Sequence, residues 1–288
     1  MTAVPGRALH YVFKIGDRSK NSFFFRTILG MQVLRHEEFK EGCDAECNGP
    51  YDNRWSKTMV GYGPEKSHFV IELTYNYGVK SYTLGNDFGG ITIKSKDILP
   101  RASEFAYPIT KQGDKSVLTS PDGYKFYIDD ASSGSDPMEQ VELHVTALKE
   151  SRAFWVDILK MQVLNESQDS IVLAYNKQQT ALRLTVLNGN LDRAKAYGRI
   201  AFAVPAAVQE PLFNEVKNVG GTILKPLIAL ETPGKATVTV LILADPNGHE
   251  ICFVDEEGFS QLSEVEPNAA AQLDKYIRKD PFQDKTQQ

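Results

Sequence analysis

The feature that most constrains this chain is a repeat. "FFRTILGMQVL", Phe24 to Leu34, aligns without a gap with "FWVDILKMQVL", Phe154 to Leu164, and seven of the eleven positions are identical. Further along, "FGGITI" from Phe88 answers "YGRIAF" from Tyr197, and "SPDGYKFYI" from Ser120 answers "DPNGHEICF" from Asp245. The order A, B, A′, B′ marks a duplicated segment, and a fold assignment that missed it would be wrong throughout. A chain of 288 residues is in any case most economically two domains.

Each A unit opens with an alternating segment, "ALHYVFKI" or "VELHVTAL", and runs into helical spacing: Phe24, Phe25, Ile28 and Leu29 form one apolar stripe. Asp17 or Ser19 is placed to cap that helix, and Gly30 to end it. Strand pairs follow, "WSKTMVGYG" with "HFVIELTYN" and "SIVLAYN" with "TALRLTVLN". Each B unit also opens with a strand, passes through a helical segment ("DILPRASEFA", "EPLFNEVKNVGG") and closes with a hairpin at Pro-Asp-Gly or Pro-Asn-Gly. The expected fold is therefore α+β, four β-α-β-β-β units, with domains over 1–132 and 138–260 and a tail over 261–288. The tail reads as a short polar helix and a frayed end without chemistry.

One strand raises a question. In "VIELTYNYG" from Val70 to Gly78, alternation puts Val70, Glu72, Thr74 and Asn76 on one face and Ile71, Leu73, Tyr75 and Tyr77 on the other. Glu72 then faces either solvent or a polar-lined cavity. The strand alone leaves both open.

Composition closes several function classes. Net charge is −5 with a pI near 5.6 and no basic run, so nucleic acid is not an expected partner. The longest strongly apolar run, Val238 to Ala244, is too short for a membrane span, and no secretory signal opens the chain. Three cysteines, Cys43, Cys47 and Cys252, are an odd, sparse set suited to a reducing compartment, the cytosol or the mitochondrion.

Four such units in one chain, with "LHYVFKIGD…FFFRTILGMQVLR" and "VGYGPEKSHFVIELTYNYGVKSYTLGNDFGG", resemble a tandem member of the vicinal oxygen chelate superfamily, to which glyoxalase I belongs. The resemblance covers nearly the whole chain. It implies paired units that curve their sheets around a cavity where a divalent metal (Zn, Ni or Co) chelates two substrate oxygens, with ligands from an A unit completed by the B unit of the other half. Carried over, His10 and Glu72 are the first two ligands, which gives Glu72 the cavity rather than solvent. The remaining two positions hold Arg199 where a histidine is expected and Cys252 where a glutamate is expected, with Glu250 beside it. A second possible site holds Gln140, Arg183, Gly90 and Tyr127.

The resemblance places chemistry at Glu72, Cys252 and Arg199. Glyoxalase chemistry removes a carbon-bound proton from the glutathione hemithioacetal of a 2-oxoaldehyde, and needs a Lewis acid and a carboxylate base. A fixed guanidinium opposes a metal, by roughly 4 kcal/mol per unit charge pair at about 4 Å and an effective dielectric of about 20. The expectation is that Arg199 pairs with Glu72 and takes over the metal's charge. Lys14 and Asn76 match positions that meet glutathione in the family, and Lys195 and Lys235 lie near further basic ones. The expected ligand is a small anion such as glutathione or its adduct, with no metal or one divalent metal. The alternatives are an active lactoylglutathione lyase and a scaffold acting through the Glu37–Thr58 insertion.

Other features carry less. Cys43 and Cys47 near His36 do not match structural zinc spacing and are expected as free loop thiols. His144 reads as a satisfied strand histidine and His249 as a hairpin residue. "GYGPE" reads as a turn, since no lysine or helix start follows to hold phosphate.

Overall fold

The computed structural model describes residues 4–231 and 235–282, so the last six residues of the expected frayed end and the loop residues 232–234 lie outside the described residues. The first unit is β1 (Arg7–Ile15), α1 (Arg18–Ser22), β2 (Gln32–Phe39), β3 (Trp55–Gly61) and β4 (Val70–Asn76). The second is β5 (Phe88–Lys94), α2 (Ile98–Glu104), β6 (Thr110–Gln112), β7 (Lys115–Thr119) and β8 (Lys125–Asp129). The third is β9 (Met138–Val145), α3 (Leu148–Arg152), β10 (Gln162–Glu166), β11 (Ser170–Ala174) and β12 (Ala181–Val186). The fourth is β13 (Arg199–Val204), α4 (Ala206–Asn218), β14 (Thr222–Leu230), β15 (Val238–Ala244) and β16 (Glu250–Asp255). Helices α5 (Glu256–Leu262) and α6 (Ala269–Lys279) follow.

The sixteen strands among the described residues make two sheets, and each draws one unit from each half of the chain. One runs β14-β15-β16-β13-β1-β4-β3-β2 and the other β10-β11-β12-β9-β5-β8-β7-β6. The seam of the first is the antiparallel pairing of β1 with β13, where Val12 meets Arg199 and His10 meets Ala201. On its other side β1 runs parallel to β4, with Val12 opposite Glu72. This is the crossed arrangement that puts A-unit and B′-unit positions on one surface.

The apolar stripes lie where the pattern places them, but in a wider coil. After α1 the chain continues as a π-helical turn over Phe23–Ile28, with Leu29 N–H donating to the Phe24 carbonyl at 2.9 Å. The copy repeats this over Ala153–Ile158, with Leu159 donating to Phe154 at 2.9 Å. A five-residue reach rather than four keeps Phe24, Phe25, Ile28 and Leu29 fully buried together. Asp17 caps α1 by accepting from Lys20 N–H, and Gly30 leaves the turn at φ +75°. In the copy Lys160 takes the same left-handed backbone, φ +62°, without glycine's freedom. Phe13 packs on Tyr124 and Phe88, ring centroids 4.2 and 5.2 Å away, so the two sheets share one core on these faces. The opposite face of the first sheet carries His10 and Glu72.

The tail departs from expectation. The expected helix is present as α6, but it is not polar throughout: Ala269 and Leu273 are buried, and it lies against β2. Asp280, just past its end, is buried and paired with Arg18 at 2.6 Å.

Candidate functional site

β4 is buried along its whole length, so neither of its faces is solvated and Glu72 lines an enclosed surface. Ile71 and Leu73 enter the shared core, while Val70, Glu72 and Thr74 face the side of His10, Val12 and Lys14. β13 and β16 complete that surface, in parallel register, with Arg199 opposite Glu250 and Ala201 opposite Cys252. A bulge between Ala8 and His10 turns Leu9 onto the same side, where it packs with Ala201 and Cys252. His10, Glu72, Arg199 and Cys252 therefore share one face, as the repeat order requires.

Their partners differ from expectation. His10 Nε2 lies 3.6 Å from Glu72 Oε2, and its Nδ1 is 2.5 Å from Glu65 Oε1. Glu65 in turn receives Arg35 at 3.0 Å. Burial opposes ionisation of Glu65, but His10 and Arg35 outweigh it and hold the carboxyl below its ordinary range. Arg199 does not pair with Glu72. Its Nε and Nη2 donate to Glu250 Oε2 at 2.9 and 2.7 Å, because the strand register sets those two residues side by side, and its remaining edge donates to the carbonyls of Ala45 and Glu46. Cys252 is buried, and burial pushes its thiol up to about 12, so it stands as a neutral thiol rather than a base or thiolate ligand.

The insertion between β2 and β3 covers this face. Ala45 is fully buried against Ala201, Cys252 and Phe259 of α5 in one apolar cluster. Asn76 faces the site but is committed to it internally: it accepts from Asn48 Nδ2 at 2.9 Å, and its own Nδ2 donates to the Asn48 carbonyl and to Tyr82. Cys43 and Cys47 are joined as a disulfide, which corrects the expectation of free loop thiols; proximity across one loop turn brings them together.

The lysines expected to hold an anion divide three ways. Lys195 is exposed. Lys235 bonds Glu37 at 2.8 Å and also Glu266, so its charge is already neutralised. Lys14 is buried, donates to the Tyr197 carbonyl at 2.7 Å and lies 3.4 Å above the Tyr197 ring. Burial lowers its amine to about 7, with Arg199 and Arg193 adding to the effect and Glu250 and Asp87 opposing it. Since the folded value is below that of an unfolded lysine, the cost of the buried charge is full below about pH 7 and disappears as pH rises toward 10.5. Stability is expected to climb across that window. Lys14→Met is expected to flatten the climb and add about 2–4 kcal/mol at pH 6, as read by urea denaturation at stepped pH.

Three residues of the site escaped sequence reasoning: Glu65, Arg35 and Lys57. Glu65 belongs to the "GYGPE" turn, and nothing local shows that the turn folds over His10. Arg35 and Lys57 had a weak signal in the alternation of β2 and β3, where Glu37 lies opposite Lys57. Burial raises the Glu37 carboxyl, but Lys57, Arg35 and Lys235 together overcome it and hold it at about 2.

A vicinal oxygen chelate metal calls for four ligands. The residues present supply His10 Nε2 and Glu72, while the other two positions carry a guanidinium locked to Glu250 and a protonated thiol. Among the described residues no three of His, Cys, Asp or Glu converge as a metal would require. The donor set does not fit the metal. At the second site, Gln140 and Tyr127 line an open cavity of about 540 Å³ together with Lys111, Lys115 and Asp129, while Arg183 turns aside to Ser170 at 2.9 Å and towards Glu142. His144 and His249 are satisfied by backbone carbonyls, of Asn86 and His144 respectively.

Comparisons with known proteins bear on the family and the fold. Residues 147–262 match the family model "Glyoxalase domain-containing protein 4-like, C-terminal domain". The chain is 49% identical to "Glyoxalase domain-containing protein 4" of Rattus norvegicus over 94% of this chain and 92% of that one. It is 44% identical to "Glyoxalase 1" of Caenorhabditis elegans, over 96% and 98%. The crystal structure of glyoxalase I from Zea mays is similar with a TM-score of 0.70 at 25% identity, covering 88% of this chain and 94% of that one.

Proposed function

Because the chain belongs to the glyoxalase domain-containing protein 4 family of the vicinal oxygen chelate superfamily, we propose that it binds a small anionic ligand, of the class of glutathione or a thiol adduct of a 2-oxoaldehyde, on the His10–Glu72 face, without metal-dependent lyase turnover. The observation that carries this reading is the exchange of two metal-ligand positions for the Arg199–Glu250 ion pair and the neutral Cys252 thiol. That exchange removes the Lewis acid's seat and leaves Lys14, Arg193 and Arg199 around the two carboxylates Glu250 and Asp87. Arg199, Arg193 and the Lys14 amine, which carries its proton below about pH 7, are the cations an anion would meet there.

The second reading, a lactoylglutathione lyase, is favoured by the placement of His10 Nε2 and Glu72 Oε2 3.6 Å apart on one face and by similarity to relatives such as "Glyoxalase 1". Titration calorimetry of glutathione and S-lactoylglutathione, beside a methylglyoxal and glutathione assay with added Ni²⁺, Co²⁺ or Zn²⁺, separates them. Binding without turnover under any metal is the expected result. Metal-dependent turnover that Glu72→Gln abolishes while binding persists would reverse it.

A further inference from the structure

We propose that Arg199 is a carboxylate-recognition site whose outward edge is held shut by the insertion, the carbonyls of Ala45 and Glu46 standing where a ligand carboxylate docks once the loop is displaced. This rests on the anion-binding reading and assigns its gate and one of its contacts. A guanidinium presents five donors in a planar fork. On Arg199 one edge is satisfied by Glu250, at 2.9 and 2.7 Å. The other edge meets only neutral acceptors, Ala45 O at 2.9 Å and Glu46 O at 3.3 Å.

Two carbonyls converging on one guanidinium edge reproduce the oxygen pair of a carboxylate, but without its charge. Hydrogen bonds between ionised partners are roughly twice as strong as neutral ones. A carboxylate of comparable reach therefore displaces the two carbonyls. The ligand's contacts must offset the burial of Ala45 against Ala201, Cys252 and Phe259, and the Cys43–Cys47 disulfide makes the loop move as a unit. Its other polar ties on this side are the Asn48–Asn76 pair and the Glu46–Lys225 ion pair at 3.1 Å, which is partly exposed. At one end of the segment Gly49, φ +80°, lies so close to Lys14 that a side chain there would meet the lysine's Cε at 2.9 Å. The segment thus crosses above Lys14 and Arg199 alike, and its departure uncovers both cations together with the buried Cys252.

The test is hydrogen exchange of the full chain during titration with S-methylglutathione, which carries two carboxylates and no free thiol, with calorimetry of the same titration. At saturation the amides of residues 43–49 are expected to exchange about tenfold faster or more, while those of β13 and β16 keep their rates. Arg199→Gln is expected to free the same amides without the probe and to weaken the probe about tenfold. Saturating binding with loop exchange unchanged or slowed would overturn the gate and leave the anion-binding reading standing. No binding of S-methylglutathione or succinate would overturn both. If Arg199→Gln does not fold, the titration of the unaltered chain decides alone.

Discussion

Arg18→Ala is expected to cost about 3–5 kcal/mol of stability and to release the C-terminal helix. The Arg18 side chain is almost fully buried between the rings of Tyr75 and Tyr77, at 4.5 and 4.7 Å. It binds Glu38 at 2.8 Å, Asp280 at 2.6 Å and the Tyr276 carbonyl at 3.0 Å. Truncating it strands the Asp280 carboxylate, itself buried, without its cation, and an uncompensated buried charge costs far more than the intact pair contributes. Urea denaturation supplies the magnitude, and limited proteolysis between α5 and α6 reports the release. A loss below about 1 kcal/mol would mean that α6 is held by Leu273 and its apolar neighbours rather than by the charge pair.

The double substitution Arg199→His with Cys252→Glu is expected to convert a chain that retains less than one metal ion into one that retains about one per chain after dialysis against Ni²⁺, Co²⁺ or Zn²⁺. Arg199 and Cys252 lie on adjacent strands facing His10 and Glu72, so the substitutions supply an imidazole and a carboxylate and remove the guanidinium whose charge repels the ion. They also release Glu250 from Arg199, leaving Arg193 at 3.5 Å as its partner. Elemental analysis measures content, and the visible spectrum of the Co²⁺ form reports coordination independently of activity. Equal metal content in the two proteins would end the account in which an ion pair has replaced a ligand set.

How much of this was legible follows from the range of each interaction. The repeat gave the four units and, through the family resemblance, the crossing that brings His10 and Glu72 to face β13 and β16. Alternation alone placed Glu72, Thr74 and Asn76 on one face. The pairing of Arg199 was misread because its partner depends on strand register: Glu250 is opposite it on β16, whereas Glu72 is two strands away across β1. Glu65 reaches His10 only because the turn before β4 folds back over β1, and Ala45 reaches Arg199 only because the insertion lies across the sheet. Neither has a periodic signal. The tail was misjudged although Ala269, Leu273 and Ile277 recur every four residues along α6: what had no signal is its docking on β2, and the partner of Asp280 is at the far end of the chain.

The crossing of the sheets sets an order of assembly. β5 finds β9 early, Phe88 lying opposite Leu143, whereas β1 must wait for β13, Arg7 lying opposite Ala203. At about 5–20 residues per second of synthesis, the first strand waits roughly 10–40 seconds for its neighbour to be made. Throughout that interval one edge of β1 is unpaired and its hydrogen-bonding groups are open to other chains. The sheet seamed by β5 and β9 closes first, whereas the seam of β1 with β13 closes across a far longer loop and forms later. A chain halted after the first repeat would hold half of each sheet and complete neither.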